Sequence, residues 1–293
     1  MLIIGAGMSG LLAGQYFRSQ MPTIIERQDS LPNNHSALLR FRSNSVSDLT
    51  GIGFRKVRVQ KAISYKGKIY NEANIKMNNL YSAKVTNTYN QRSISSLESC
   101  DRCVAPGDFI QKASNGLDIT YSEDASTWLS IEMKEPIIST MPVMALAKLL
   151  DYELDVELES TSITTTRMTI PDDCDVYQTI YYPDLEEPFY RISITGNRVI
   201  AESMFDRDSS EYLGTILQQD FGIKAFEDTE TTINTMKYGK LIEHKGKEIK
   251  DFIIHATNEH NIYSLGRWGT HRQILMDDVV HDLKIIGKLI NRR

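Results

Sequence analysis

The sequence predicts an α/β protein, a Rossmann-like dinucleotide-binding domain with an antiparallel β-sheet lobe threaded through it. Three observations predict this. A short apolar run, Leu2-Ile3-Ile4, opens directly into Gly5-Ala6-Gly7-Met8-Ser9-Gly10 and a helical stretch. A second β run, Thr23-Ile24-Ile25, closes on Glu26. Two blocks of alternating β formers, residues 55–70 and 165–206, fall between segments of nucleotide-binding type rather than after them.

The first strand, turn and helix come in the order that a phosphate site requires. Gly5 permits the tight turn, Gly7 lets the backbone approach a pyrophosphate, and Gly10 lets helix and strand pack closely. The helix, expected over residues 11–19, aims its N-terminus at the phosphates. Glu26 stands where an acidic side chain accepts hydrogen bonds from ribose hydroxyls. Residues 55–70 alternate around Lys66-Gly67 and read as a hairpin. Residues 116–121 and 136–140 read as strands beside the nucleotide. The runs TTRMTI, VYQTIYY, FYRISIT and RVIAESM read as strands that join the hairpin in one antiparallel sheet. A helix over 208–221 takes Asp208 or Ser209 as its cap. Residues 261–265 form a last strand, Gly266 a turn, and Val279, Val280, Leu283, Ile286 and Ile290 recur at helical spacing from Met276 onward.

Of the 293 residues, 1–45, 95–150 and 240–293 are assigned to the nucleotide-binding domain and 46–94 and 151–239 to the inserted lobe. A net charge of −5 and a pI near 5.7 argue against a surface for general nucleic-acid or anionic-membrane binding. No apolar run approaches the roughly 18 residues of a membrane span. The N-terminus does not read as a secretory leader. Three cysteines suit a reducing compartment, and the expected location is the cytoplasm.

The glycine turn alone does not separate NAD from FAD. GAGMSGLLAGQYF followed by IIER resembles the N-terminal motif of FAD-containing oxidoreductases, whose second strand commonly ends on Glu. Residues 134–150, KEPIISTMPVMALAKLL, resemble the Ser-Thr-x-Pro passage of the amine oxidase and UDP-galactopyranose mutase superfamily. Residues 180–195, IYYPDLEEPFYRISIT, resemble a passage of its mutase-like members, and residues 261–280, NIYSLGRWGTHRQILMDDVV, their C-terminal flavin motif. The resemblance implies a compact FAD-binding member. Its cofactor contacts would be Gly5, Gly7, Met8, Ser9, Gly10, Glu26, Arg27, Arg40, Arg42, Thr140, Gly266, Arg267, Met276, Asp277 and Asp278. Asp277 and Asp278 also read as simple helix caps. Arg191, Arg267, Tyr190 and His271 are the substrate-side candidates. The alternatives are surface pairing of the arginines with Asp184, Glu186 or Glu187, a core role for the tyrosine and a structural role for the histidine. His35 does not fall at the family's histidine spacing.

The helical insert that closes the active site of larger relatives is reduced here, with about 65 residues between the hairpin and the Ser-Thr-x-Pro passage. That implies an open flavin face. The leading expectation is oxidation of an amine-like substrate, small or linked to a macromolecule such as a modified nucleobase. Hydride transfer to flavin would be followed by imine hydrolysis, and an external acceptor such as O2 would reoxidise the cofactor. The alternatives are a mutase-like isomerase of a sugar nucleotide and a non-catalytic flavin-binding protein. A homo-oligomer is compatible with any of these. Cys100 and Cys103 form one CxxC, either a redox dithiol or two unrelated packing residues, and no metal site is expected.

Overall fold

Two sheets divide the strands in the computed structural model, which describes residues 1–32, 39–89, 92–129, 135–170, 174, 176–204, 210–223, 231–242, 244 and 246–292. His35, Asp208 and Ser209 lie outside the described residues. The first sheet is parallel throughout, in the order Ile262–Ser264, Ile137–Ser139, Leu2–Ile4, Thr23–Glu26, Asp118–Tyr121. Such a sheet must be covered on both faces, and its strands alternate accordingly. Ile3, Ile24, Ile138 and Tyr263 pack under the helices Met8–Tyr16, Phe109–Ser114 and Met276–Ile290. Leu2, Ile4, Ile25, Ile137 and Ile262 pack on the opposite face under Val143–Leu149 and Glu248–His260. The first helix begins at Met8, inside the glycine turn, and ends at Tyr16, three residues short of the expected end.

The second sheet has nine strands, running Thr231–Leu241, Ser160–Thr169, Arg198–Ser203, Phe189–Thr195, Tyr177–Tyr181, Arg55–Tyr65, Cys100–Val104, Arg40–Phe41, with Lys68–Tyr70 beside Arg55–Tyr65. It contains both predicted blocks, with the hairpin turned at Lys66 (φ 51°) and Gly67 (φ 69°). The expectation of a wholly antiparallel sheet is corrected at the join. Tyr177–Tyr181 runs parallel to Arg55–Tyr65, with Tyr181 opposite Ile63. A parallel pair needs a long crossover, and the chain supplies one by passing through the first sheet between residues 118 and 139. One face of this sheet packs on the helix Ser210–Phe221 through Leu213, Ile216 and Leu217. The other packs on the helix Ile75–Thr86 through Met77, Tyr81 and Val85.

The helix Ile75–Thr86 was not expected from the sequence. Its signals are a cap at each end: the Asn74 side chain accepts from the Met77 amide at 2.9 Å, and Asn87 ends it with φ 55°. Lys84, on the same helix, is buried and donates to the carbonyls of Tyr182 (3.0 Å), Asp184 and Phe189 (2.7 Å). The ammonium thus holds the loop between two strands of the sheet. Lys84→Met, which keeps the apolar stem, should leave these carbonyls unpaired and cost about 2–3 kcal/mol. Chemical denaturation measures the loss, and an unchanged midpoint would show that the loop needs no such tie.

The dithiol reading of Cys100 and Cys103 does not survive the fold. Both lie on the strand Cys100–Val104, three residues apart, and both are free. Residues i and i+3 of a strand point to opposite faces with Cα atoms about 10 Å apart. That is beyond a disulfide's reach. Cys103 is buried beside Phe41 and Phe109, while Cys100 packs with Val57, Val59 and Tyr177. They are packing residues of two different clusters. Among the described residues no helix is long and apolar enough to cross a membrane, and no group of three or more His, Cys, Asp or Glu is placed to hold a metal.

Candidate active site

The glycine turn lies at the C-terminal edge of the parallel sheet, where ligands of open α/β sheets bind. Gly5 has φ +94°, and a Cβ there would stand 2.5 Å from Thr140 Oγ1. A Cβ on Gly10 would stand 1.8 Å from the Gly5 carbonyl oxygen. Thr140 closes the underside by donating its Oγ1 hydrogen to Ile4 O at 2.9 Å. Gly7 differs from both. It is exposed, and a Cβ built on it meets nothing within 4 Å. Its carbonyl accepts the first intrahelical bond, from the Leu11 amide at 2.9 Å, and no side chain caps the helix. The amides of Met8, Ser9 and Gly10 precede that bond, so the positive end of the helix opens onto free space above Gly7.

Glu26 lies beside this opening. Its carboxylate accepts the Ala6 amide at 2.7 Å and the Gln28 amide at 3.0 Å. Each oxygen can accept again, so Glu26 both fixes the turn and offers acceptors to a ribose. The residues present fit the adenosine diphosphate portion of a dinucleotide. Arg27 is exposed beyond the strand end, within charge range of Asp124.

The C-terminal motif comes to the same edge. Leu265 N–H donates to Ser139 O at 2.9 Å, and a Cβ on Gly266 (φ +83°) would stand 2.5 Å from Ser9 Oγ. Gly5, Ser9, Gly10, Thr140 and Gly266, separated by up to 261 residues in sequence, therefore form one contact set. Met276 is half-buried against the core under the first helix. Asp278 accepts the Leu275 amide at 2.8 Å as a cap. Asp277 reaches across instead. It accepts the amides of Arg42 (3.1 Å) and Ser43 (2.9 Å) and the hydroxyls of Ser43 and Ser45 (2.5 and 3.2 Å). These bonds outweigh partial burial and hold its carboxyl below the usual range. Asp277→Ala should release residues 42–45 from the helix start and cost about 2 kcal/mol. Faster exchange of the Arg42 and Ser43 amide hydrogens would report it, and unchanged protection would assign the tie elsewhere.

Arg40 turns away from the turn edge. Its guanidinium donates to Thr179 Oγ1 (2.9 Å), Ile194 O (2.9 Å) and Thr195 Oγ1 (2.7 Å), stapling its short strand across the second sheet. Arg42 is exposed and contributes its amide to Asp277.

Of the substrate-side candidates, Tyr190 and Arg191 on the second sheet stand within charge range of Arg267 in the C-terminal motif. Tyr190 is fully buried and donates to Glu202 Oε1 at 2.7 Å, and Arg191 Nε donates to Glu202 Oε2. Lys240 Nζ stands 3.9 Å from Glu202 Oε1 and 4.8 Å from the centre of the Tyr190 ring. Burial would raise the Glu202 carboxyl, but Arg191 and Lys240 hold it down at about 2. Burial, with the cations Arg191, Arg92 and Arg267 close by, lowers Lys240 to about 7. Arg267 donates through Nη2 to Ile274 O at 3.2 Å, and its own ionisation is lowered by burial, Arg92 and Arg191.

The alternative pairing of Arg191 with Asp184, Glu186 or Glu187 is thus replaced by Glu202. His271 is buried with φ 47°. Its Nε2 lies 3.0 Å from Ile242 O, and burial lowers its pKa. It stitches the C-terminal motif to the end of the strand Thr231–Leu241. The Gln273 side chain, donating to Leu241 O at 3.4 Å, adds a second stitch.

Glu202, Lys240 and Arg92 were missed in the sequence. Glu202 had a signal, as the one acid in the otherwise apolar and small run Val199-Ile200-Ala201-Glu202-Ser203. Lys240 and Arg92 lie outside any motif.

No known family profile matches the chain, and no curated protein does. Solved structures do. A protein from Exiguobacterium sp. 255-15, provisionally assigned as a protoporphyrinogen oxidase, matches with a TM-score of 0.64 at 11% identity, covering 100% of this chain and 98% of that one. The chain has the fold of these proteins. An oxidoreductase from Methanosarcina mazei matches at 0.60 and 10% identity, over 98% of this chain and 99% of the other. A fatty acid isomerase from P. acnes that produces CLA matches at 0.58 and 13% identity, over 98% and 97%. The likeness runs the length of each chain, and the strands Arg40–Phe41 and Cys100–Val104, assigned from the sequence to the nucleotide-binding segments, belong to the second sheet.

Proposed function

We propose that the protein is an FAD-dependent oxidoreductase. The observation that carries the reading is the convergence of the glycine turn, Glu26, Thr140 and Gly266 on one sheet edge, with no described atom within 4 Å of a Cβ built on Gly7. The oxidoreductase fold supports it.

When bound, FAD supplies a two-electron acceptor for hydride. Met8, Ser9 and Gly10 would hold the pyrophosphate through their amides, and Glu26 the adenosine ribose. Asp277, by fixing residues 42–45 against the start of the helix Met276–Ile290, would keep the chain along the flavin in place. Arg191, Lys240 and Arg267 would receive the substrate where the two sheets meet. An amine-like substrate is implied by the resemblance, and its oxidation would break a C–N bond without a protein nucleophile. Glu202 is already shared by Tyr190, Arg191 and Lys240, so among the described residues it offers little to an ammonium group.

Purified protein should be yellow and release one FAD per chain on heating. Anaerobic addition of a true substrate should bleach the flavin. Colourless protein that takes up no FAD on reconstitution would overturn the reading.

A further inference from the structure

We infer that the substrate carries a carboxylate, and that this group docks among Lys240, Arg191 and Arg267 where the second sheet meets the C-terminal motif. The inference rests on the oxidoreductase reading for what happens to the substrate, but not for where its charge lands.

Charge at this point is unbalanced. Three guanidinium groups, Arg92, Arg191 and Arg267, act on one another and on Lys240, whose ammonium they and burial destabilise, and among the described residues Glu202 is the carboxylate that faces them. A structural ion pair would need one cation for one acid. A cation held out of water is unfavourable unless an anion completes it.

The cations are also placed to be reached. Glu202 and Tyr190 are buried, whereas the Arg191 side chain is 33% exposed and Arg92 and Arg267 are part-exposed; the Lys240 side chain, at 12%, lies deeper. A guanidinium has five N–H donors. The bonds to Glu202 and Ile274 O engage one on Arg191 and one on Arg267. Among the described residues, Arg92 Nε is buried with no hydrogen-bond partner. This orphaned donor is a second and independent sign of a missing acceptor.

The three elements that bring the cations together are held by other bonds. Tyr190 Oη fixes Glu202, the Lys240 strand is stitched to the C-terminal motif through His271 and Gln273, and Arg267 follows the glycine that touches Ser9. The cluster is therefore preorganised beside the dinucleotide turn.

The test is calorimetric titration of the purified protein with two matched pairs, hexanoate against hexylamine and benzoate against benzylamine. Inorganic phosphate is included as a further anion. At least one carboxylate should bind ten-fold or more tightly than its amine. Lys240→Met and Arg267→Gln, on different elements, should each weaken that carboxylate by ten-fold or more, and Lys240→Met should do so while leaving FAD content unchanged. Amines that bind as well as their acids would overturn the inference, as would phosphate binding with neither carboxylate, or variants with unaltered affinity. The wild-type comparison stands even if a variant fails to fold. Because no turnover is read, a protein without FAD that still prefers the acid refutes the proposed function and keeps this inference. Yellow protein with no such preference does the reverse.

Discussion

Gly7→Val is expected to fold and to lose its flavin. The residue has φ −64° and ψ 178°, a conformation open to any L-amino acid, and a Cβ there meets no atom within 4 Å. The folded chain thus gives up little, about 1 kcal/mol or less. A valine side chain would instead fill the space in front of the uncapped helix, where a pyrophosphate must come within hydrogen-bond distance of backbone amides. FAD content after gel filtration should fall to less than about a tenth of wild type, while denaturation of the flavin-free proteins gives matching midpoints.

Gly10→Ala is the contrast. Its Cβ would stand 1.8 Å from the Gly5 carbonyl oxygen, a backbone atom that cannot move without opening the turn, so folding and flavin should fail together. Full FAD retention by Gly7→Val would remove the glycine turn from the proposed site.

Glu202→Gln should be the most destabilising isosteric change at the junction of the two sheets. It removes the buried negative charge that Arg191 and Lys240 share, and breaking such a pair from one side costs about 3–5 kcal/mol. The acid dependence gives an independent measure. The Glu202 carboxyl lies at about 2 in the folded protein against an ordinary value of 4.5. The unfolded chain therefore takes up its proton first as pH falls. The stabilisation from this group is complete above about pH 4.5 and is lost as pH drops from there toward 2. The difference of about 2.5 units corresponds to roughly 3 kcal/mol. Denaturant midpoints of wild type and variant should therefore differ at pH 6 and converge toward pH 2. A constant gap across that range would mean that Glu202 is not held ionised by its neighbours.

The parts of the site legible in advance were those where backbone chemistry leaves little choice. Gly5 and Gly10 are required by contacts at 2.5 and 1.8 Å, and a short apolar strand with glycines after it announces such contacts directly. The parallel strands were legible because Leu2-Ile3-Ile4 and Ile137-Ile138 are too short and too β-branched for helices.

What escaped depends on partners far away in sequence. Arg40 seemed to face the cofactor, but its guanidinium finds Thr179 and Thr195, more than 130 residues on. Asp277 read as a cap or cofactor contact, and its carboxylate spans 232 residues or more to reach Arg42, Ser43 and Ser45. The helix Ile75–Thr86 escaped for another reason. It contains Asn78, Asn79 and, counting its two end residues, three β-branched residues, so packing on Ile63 and Tyr190 overrides weak propensity.

The parallel join between Tyr177–Tyr181 and Arg55–Tyr65 has a consequence for how the molecule comes apart. The chain leaves the first sheet after Glu26, returns at Asp118, leaves again after Ser139 and returns at Ile262. No cut of the backbone therefore yields a piece that contains either sheet whole and the other not at all. Heating should give a single calorimetric transition in spite of two sheets, and the first sheet must wait for the chain's last strand, made after the second sheet is complete, before it can close. The molecule is, in that sense, one knot of mutual dependence tied from two fabrics.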